Sequence, residues 1–287
     1  MEFIKNNRIA SLTAVTLIYV AATVLGVVIY FLLPFEFWLN LLIADVASTV
    51  FTYIFSLIFK NASVYDPYWS VQPMVILFAF FVLNKFSVSG LLLLVAVLFW
   101  GIRLTANWVY TFKGLGAYED WRYKMLREKS GRLYQLVNFT GIHMVPTLVV
   151  YACVLPAVIV VREAPQYNVG SIVFFLICIV AASLELVSDI TMHRFRKSGK
   201  GGFIRDGVWK YSRHPNYLGE ITMWWGIGLA AVCVMPEKWW YLLIGALLNT
   251  ILFLAASIPM AEKHQSRKEG FEEYKKHTRY LFPIPKK

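Results

Sequence analysis

Charge is scarce in this sequence. Asp, Glu, Lys and Arg make up 16% of its 287 residues and hydrophobic side chains 58%, whereas ordinary soluble domains carry about 25% charged residues. That shortage excludes a soluble globular domain. Cysteine is scarcer still. Cys153, Cys178 and Cys233 each lie inside an apolar run, without CxxC or Cys/His spacing, so neither a disulfide framework nor a metal site is expected. Low-complexity stretches rich in Gly, Ser or Pro are missing, so nothing marks a linker. There is no G-x-G-x-x-G after a strand and no P-loop, so any nucleotide must be held by membrane helices rather than by a Rossmann domain.

What fills the chain is apolar runs. A transmembrane helix needs about 20 apolar residues, and runs of that kind recur near 9–33, 38–59, 68–84, 88–112, 139–161, 169–192, 215–235 and 239–259. The expected fold is all-α, a polytopic membrane bundle of seven or eight transmembrane helices forming one domain over residues 1–287. The run Ile9–Leu33 is too long for a signal-peptide core and lacks a small-residue cleavage site, so it is kept as a span. Residues 236–238 (PEK) join the last two spans as a tight hairpin.

Lys and Arg divide unevenly between alternate loops. With the N-terminus cytoplasmic, 24 fall on the cytoplasmic side and three (Lys85, Arg162 and Lys238) on the other, with Arg103 inside a span. Cytoplasmic loops are the ones enriched in Lys and Arg. Both termini and the 193–213 loop are therefore expected in the cytoplasm. The net charge of +11 becomes a cytoplasmic belt that meets anionic headgroups, and nucleic acid is not an expected partner.

Ionisable groups at membrane depth are costly and by default face a cavity or a partner. Asp45 stands alone in LLIADVAST and reads as helix-packing glue or a headgroup-level residue. Asp66, in VYDPYW between Tyr65 and Tyr68, either caps a helix, since Asp before Pro does so commonly, or serves chemistry. Arg103 and Asn107 are four apart on one helix face. Glu119, Asp120, Arg122 and Tyr123 follow in a basic loop, where mutual ion pairs are the simplest expectation. The densest stretch is LELVSDITMHRFRKSGKGGFIRDGVWKYSRHPNYLGE. Glu185, Asp189 and His193 share one face, Arg196 follows a turn later, and Arg213, His214, Asn216, Tyr217 and Glu220 open the next span. GKGG and RDG fold the intervening loop back. Carboxylates, an amide and arginines at two converging helix ends suit a ligand bearing phosphates and ribose hydroxyls, because Arg pairs bidentately with phosphate while carboxylate and amide bind hydroxyls.

At these residues the sequence resembles a known group. SRHPNYLGE before an apolar span is similar to the C-terminal signature of the steroid 5α-reductases and sterol double-bond reductases. Together with VYDPYW, YEDWRY and E-x-x-x-D-x-x-x-x-R it resembles an uncharacterised 5α-reductase-like branch of that membrane family. The resemblance covers about residues 60–285 and leaves 1–59 as extra N-terminal spans. It implies an NADPH-dependent membrane oxidoreductase of lipid or steroid metabolism that reduces a carbon–carbon double bond conjugated to a ketone. The implied cofactor contacts fall at Asp189, Arg196 and Asn216. The family's ketone-binding Glu falls at Asp66 and its Tyr at Trp100, whose indole is a poor proton donor, so Asp66 with Tyr65 or Tyr68 is the alternative pair. The expected catalytic set is thus Asp66, Tyr65, Tyr68 and Arg103, and the expected cofactor set is Glu185, Asp189, Arg196, Arg213, His214, Asn216, Tyr217 and Glu220.

In such a reaction hydride adds to the β-carbon, negative charge grows on the carbonyl oxygen, and a positioned acid such as a protonated Asp66 lowers the barrier. A lipophilic, steroid-like enone would arrive through the lipid and NADPH from the cytoplasm. A second class stays open. Isoprenylcysteine and phospholipid methyltransferases of membranes also carry an RHP-x-Y-x-G stretch and use S-adenosylmethionine, with a Glu-Glu pair in the tail where this chain has the single Glu262 of PMAEKHQ. The terminal PIPKK is not a dilysine retrieval signal and no KDEL-type ending is present, so a bacterial cytoplasmic membrane and an endoplasmic reticulum both fit.

Overall fold

The structure, a computed structural model, describes residues 2–84 and 87–283. Lys85, counted above among the non-cytoplasmic charges, and both lysines of PIPKK lie outside them. Among the described residues eight helices are long and apolar enough to cross a membrane: Arg8–Leu32, Phe37–Phe59, Ala62–Leu83, Val88–Thr111, Trp121–Glu163, Val169–Lys197, Pro215–Val234 and Pro236–Gln265. They are called the first to eighth spans below. No strand occurs among the described residues, and the chain is an all-α, multi-pass membrane bundle. Residues such as Leu17, Val20, Val24, Val28 and Phe31 leave an exposed apolar stripe on the first span, as a lipid-facing helix requires.

The ends of the spans follow local chemistry. Asn7 accepts from Ala10 N at the start of the first span, and Asn168 forms a reciprocal capping box with Ser171 at the start of the sixth, each satisfying amides that a helix start leaves free. Pro215 opens the seventh span, where its missing N–H costs nothing. The 113–132 stretch, expected as a loop, contains the helix Trp121–Ser130, started by Asp120 accepting from Arg122 N at 2.8 Å. Its sequence, WRYKMLREKS, is too polar to show an apolar stripe, so periodicity did not reveal it.

The chain divides into two compact units, Met1–Phe80 with Leu104–Leu155, and Phe81–Arg103 with Pro156–Lys287. In the first unit the first and second spans pack closely, with Ser48 Oγ donating to Ala22 O at 2.8 Å. Arg8 donates to Phe112 O at 2.8 Å and to Val109 O at 2.7 Å, satisfying the last carbonyls of the fourth span. Asn61 donates to Leu115 O and Tyr118 O at 2.7 and 2.6 Å. These bonds fix the segment carrying Tyr65, Asp66 and Tyr68 above a core of Val15, Ile18, Tyr19, Phe59 and Phe112.

In the second unit the sixth and seventh spans share the most extensive helix contact, and two glycines one heptad apart permit it. A Cβ on Gly219 would lie 2.4 Å from Glu185 Cγ and 2.8 Å from Ala181 O, and one on Gly226 would lie 2.5 Å from Cys178 Sγ. Small residues let membrane helices approach this closely. The loop between the two spans turns at Gly199, Gly202 and Gly207, with φ of 67°, 84° and 58°, as GKGG and RDG foretold.

Candidate active site

Each unit holds its own polar centre. In the first unit Asp66 Oδ1 accepts the Tyr123 hydroxyl at 2.6 Å and Oδ2 accepts the Trp108 indole N–H at 3.3 Å. Tyr123 comes from the polar helix that periodicity missed, so the pairing was invisible in sequence. Tyr65 OH meets Thr147 Oγ1 at 2.7 Å, and Thr147 in turn meets Thr49 Oγ1 at 3.0 Å. Tyr68 donates to Asp45 Oδ1 at 3.2 Å, so Asp45, read from sequence as packing glue or a headgroup-level residue, is a buried acceptor with a defined donor. A π-helical segment, Asn138–Met144, carries the fully buried His143 with its ring centroid 4.6 Å from that of Tyr65. Arg122 pairs with Asp120 and Arg127 with Glu119, the ion pairs expected for that stretch.

In the second unit Arg103 is buried among carboxylates. Its Nη1 bonds Asp189 Oδ2 at 2.8 Å, its Nη2 bonds Glu185 Oε2, and Glu220 Oε2 lies 4.0 Å from Nη2. The i, i+4 spacing of Glu185 and Asp189 therefore does bring both to one partner. Arg103, grouped with Asp66 on sequence, bonds the Glu185 and Asp189 set. Glu220 also accepts the indole N–H of Trp100 and of Trp224, each at 2.7 Å. Trp100, a poor proton donor, is here a hydrogen-bond donor to a carboxylate. Trp224 could have been found from its i+4 spacing to Glu220.

The signature loop is held from the C-terminal segment. Arg213 forks onto Glu262 (Nε to Oε1 2.9 Å, Nη2 to Oε2 3.1 Å) and also donates to Thr278 O. His214 Nε2 bonds Glu262 Oε1 at 2.7 Å, and its ring stacks on Tyr217 at 5.1 Å. Backbone bonds from Arg213 N to Arg279 O and from His214 N to Tyr280 O add to the clamp. Arg213 and His214 are thus engaged with the chain's own tail. Glu262, treated on sequence only as half of a missing acid pair, is their shared partner.

Beyond that clamp lie Asn216, Arg196 and Lys268. Asn216 Oδ1 is buried with no hydrogen-bond partner, an acceptor that a ligand amide or hydroxyl would satisfy. Arg196 is exposed at the end of the sixth span. Partial burial, with the like charge of Arg196 adding to it, holds the Lys268 ammonium below its ordinary range, while its Nζ donates to Gly202 O at 2.9 Å. Two cationic side chains in this region suit an anionic ligand. Burial pushes the Tyr274 phenol up, which keeps it neutral as it bonds Trp209 O. An apolar groove of about 440 Å³ runs along Leu176, Val180 and Leu184 of the sixth span and Leu218 and Thr222 of the seventh. Among the described residues no cluster of His, Cys, Asp and Glu could hold a metal ion.

An all-α multi-pass membrane protein with a tryptophan-bound carboxylate cluster and a clamped RHPN loop is the class these features define. Residues 52–278 match the family described as a protein of unknown function, DUF1295, and the chain belongs to that family. Among curated proteins it is similar to 3-oxo-5-alpha-steroid 4-dehydrogenase 1 of Rattus norvegicus, 31% identical over 114 residues, covering 38% of this chain and 40% of the relative. The proteins of the same name from Mus musculus (28% over 112 residues, 38% and 40%) and Homo sapiens (28% over 122 residues, 42% of each) are similar too. The chain thus spans about two fifths of the length of these relatives. No solved structure matches it.

Proposed function

We propose that the chain is an oxidoreductase that uses NADPH to reduce a carbon–carbon double bond conjugated to a ketone in a lipophilic substrate, a 3-keto-Δ4 steroid or a related lipid. The observation that carries this reading is the set of Asp189, Arg196 and Asn216 in the second unit, the residues at which the 5α-reductase resemblance implies cofactor contacts. The partnerless, buried Asn216 Oδ1 fits a ligand donor. The Arg196 and Lys268 pair fits its phosphates. The similarity to 3-oxo-5-alpha-steroid 4-dehydrogenase 1, whose name describes an oxidoreductase acting on a 3-oxo steroid, supports the reaction type. The uneven Lys and Arg distribution supports entry of the nucleotide from the cytoplasm.

When bound, NADPH supplies a hydride. The chain's residues supply the rest. Asp189 and Asn216 orient the nucleotide through hydroxyl and amide contacts, with Arg196 and Lys268 on its phosphates. The clamp from Glu262 to Arg213 and His214 holds the backbone just before Asn216, so its amide is preset rather than ordered at binding. Arg103 and the indoles of Trp100 and Trp224 fix the carboxylates of that centre. Asp66 is the residue we assign to the carbonyl. Both oxygens of Asp66 accept, from Tyr123 and Trp108, so Asp66 would meet the negative charge that grows on the ketone oxygen by taking up a proton and releasing one of these donors. The hydroxyl hydrogens of Tyr68 and Tyr123 are committed to Asp45 and Asp66, which leaves Tyr65 as the alternative donor.

Calorimetric titration of detergent-solubilised protein with NADPH and with S-adenosylmethionine tests the reading. Binding of NADPH, followed by its oxidation on adding a 3-keto-Δ4 steroid, is the expected result. Binding of S-adenosylmethionine alone would overturn it in favour of a methyltransferase.

A further inference from the structure

The buried centre of the second unit is unbalanced in charge. Three carboxyl groups, Glu185, Asp189 and Glu220, face one guanidinium, that of Arg103. The side chains of Arg103, Glu185 and Glu220 are 4%, 3% and 5% exposed. Asp189 is the most exposed of the four at 15%, and His193 and Arg196 follow it on its own helix towards the C-terminal end. Its charge is therefore met at the open end of the cluster.

Glu185 and Glu220 have no such outlet. Both oxygens of Glu220 accept an indole N–H, the arrangement that holds an ionised carboxylate. Glu185 Oε2 accepts from Arg103, but Glu185 Oε1 is buried without any donor. The two carboxyl groups share one guanidinium nitrogen, Arg103 Nη2, which bonds Glu185 Oε2 and lies 4.0 Å from Glu220 Oε2. Ionised carboxylates only accept, and two like charges in contact away from water cannot both persist.

We propose that Arg103, Glu185 and Glu220 form an intramembrane proton-binding site, in which Glu185 is a neutral carboxylic acid at neutral pH. Its O–H, on Oε1, donates to ionised Glu220, and Oε2 accepts from Arg103. The one assignment removes the orphaned oxygen, the acceptor–acceptor contact and the surplus negative charge together. Trp100 and Trp224 select which of the two acids stays ionised.

A reduction of the kind proposed above consumes one proton with each hydride. Hydride forms the new C–H bond at the β-carbon, the π electrons pass to the enolate, and a proton completes the α C–H bond. Glu185 stores such a proton. On giving it up it is left as a carboxylate, and a proton from water, reaching the cluster by way of Asp189, restores it. This role rests on the reductase reading; the protonation of Glu185 does not.

Infrared difference spectroscopy of the solubilised, full-length protein at neutral pH tests the site. Subtracting the Glu185→Gln spectrum from that of the wild type should isolate a carboxylic-acid C=O band, above the amide band, that shifts down in D2O. Glu220→Gln should lose the same band, because Glu185 then ionises against Arg103, and this variant gives the answer should Glu185→Gln not fold. A wild-type band that survives either substitution, or a difference spectrum showing only loss of carboxylate, would overturn the proposal. Presence of the band in a protein that never oxidises NADPH would sink the reductase reading and leave the proton site standing. Turnover without the band would do the reverse.

Discussion

Replacing Gly219 with Ala isolates the helix contact that builds the carboxylate cluster, because it adds one methyl group and removes nothing polar. The new Cβ would sit 2.4 Å from Glu185 Cγ and 2.8 Å from Ala181 O. The second of these atoms is backbone, so a change of Glu185 rotamer cannot relieve both contacts. Restoring ordinary separation requires the sixth and seventh spans to part locally by about 1 Å, since ordinary contact begins at 3.4 Å. Because Arg103 ties the fourth span to the sixth, parting of that size would stretch the 2.7 Å bond from Trp100 on the fourth span to Glu220 on the seventh beyond hydrogen-bonding range. Overpacking costs about 1–3 kcal/mol and a lost charged hydrogen bond about 1.5–3 kcal/mol, while the better helix propensity of Ala returns about 1 kcal/mol. The net loss is about 1.5–5 kcal/mol, which should lower Tm by roughly 3–20 °C in a chain of this size. Thermal unfolding followed by tryptophan fluorescence measures it, and NADPH titration of the same sample should show weakened binding. Gly141→Ala is the control, because its Cβ meets only Val137 Cγ1 at 3.9 Å. If Gly219→Ala matched the wild type in both Tm and affinity, the close-approach argument would fail.

The other predictions address separate parts of the site. Asp66→Asn should cut turnover of an enone by about 10²-fold or more, by removing an acidic proton, with NADPH affinity near wild type; near-normal turnover would return Asp66 to helix capping. Glu262→Gln should weaken the clamp on Arg213 and His214 at a cost of about 1.5–3 kcal/mol, seen as a lower Tm and faster proteolysis of the tail, and an unchanged protease pattern would count against the clamp. Cysteine placed at Ser198 in a chain freed of Cys153, Cys178 and Cys233 should react with a membrane-impermeant maleimide only from the cytoplasmic side, and labelling from the outside alone would invert the proposed topology.

Sequence by itself determined the class and the spans. Apolar runs of about 20 residues can satisfy their backbone only as helices in lipid, so the eight spans were legible in number and place, as were the turns at Gly199, Gly202 and Gly207, although the fifth helix begins at Trp121, well before the expected 139, because its first turns are polar. Helical spacing also placed Glu185 and Asp189 on a common face, because i and i+4 positions coincide whatever the surroundings. Partners from distant segments were beyond its reach. That Asp66 meets Tyr123 and Trp108, that Tyr68 meets Asp45, that Arg103 closes on Glu185 and Asp189, and that Glu262 forks onto Arg213 depends on how helices far apart in the chain pack. Helix packing is set by side-chain shape and small residues such as Gly219 and Gly226, which carry no periodic signal of their own. The charge state of the buried cluster is decided at the same level, because a carboxylate's cost depends on which donors the packed helices bring to it.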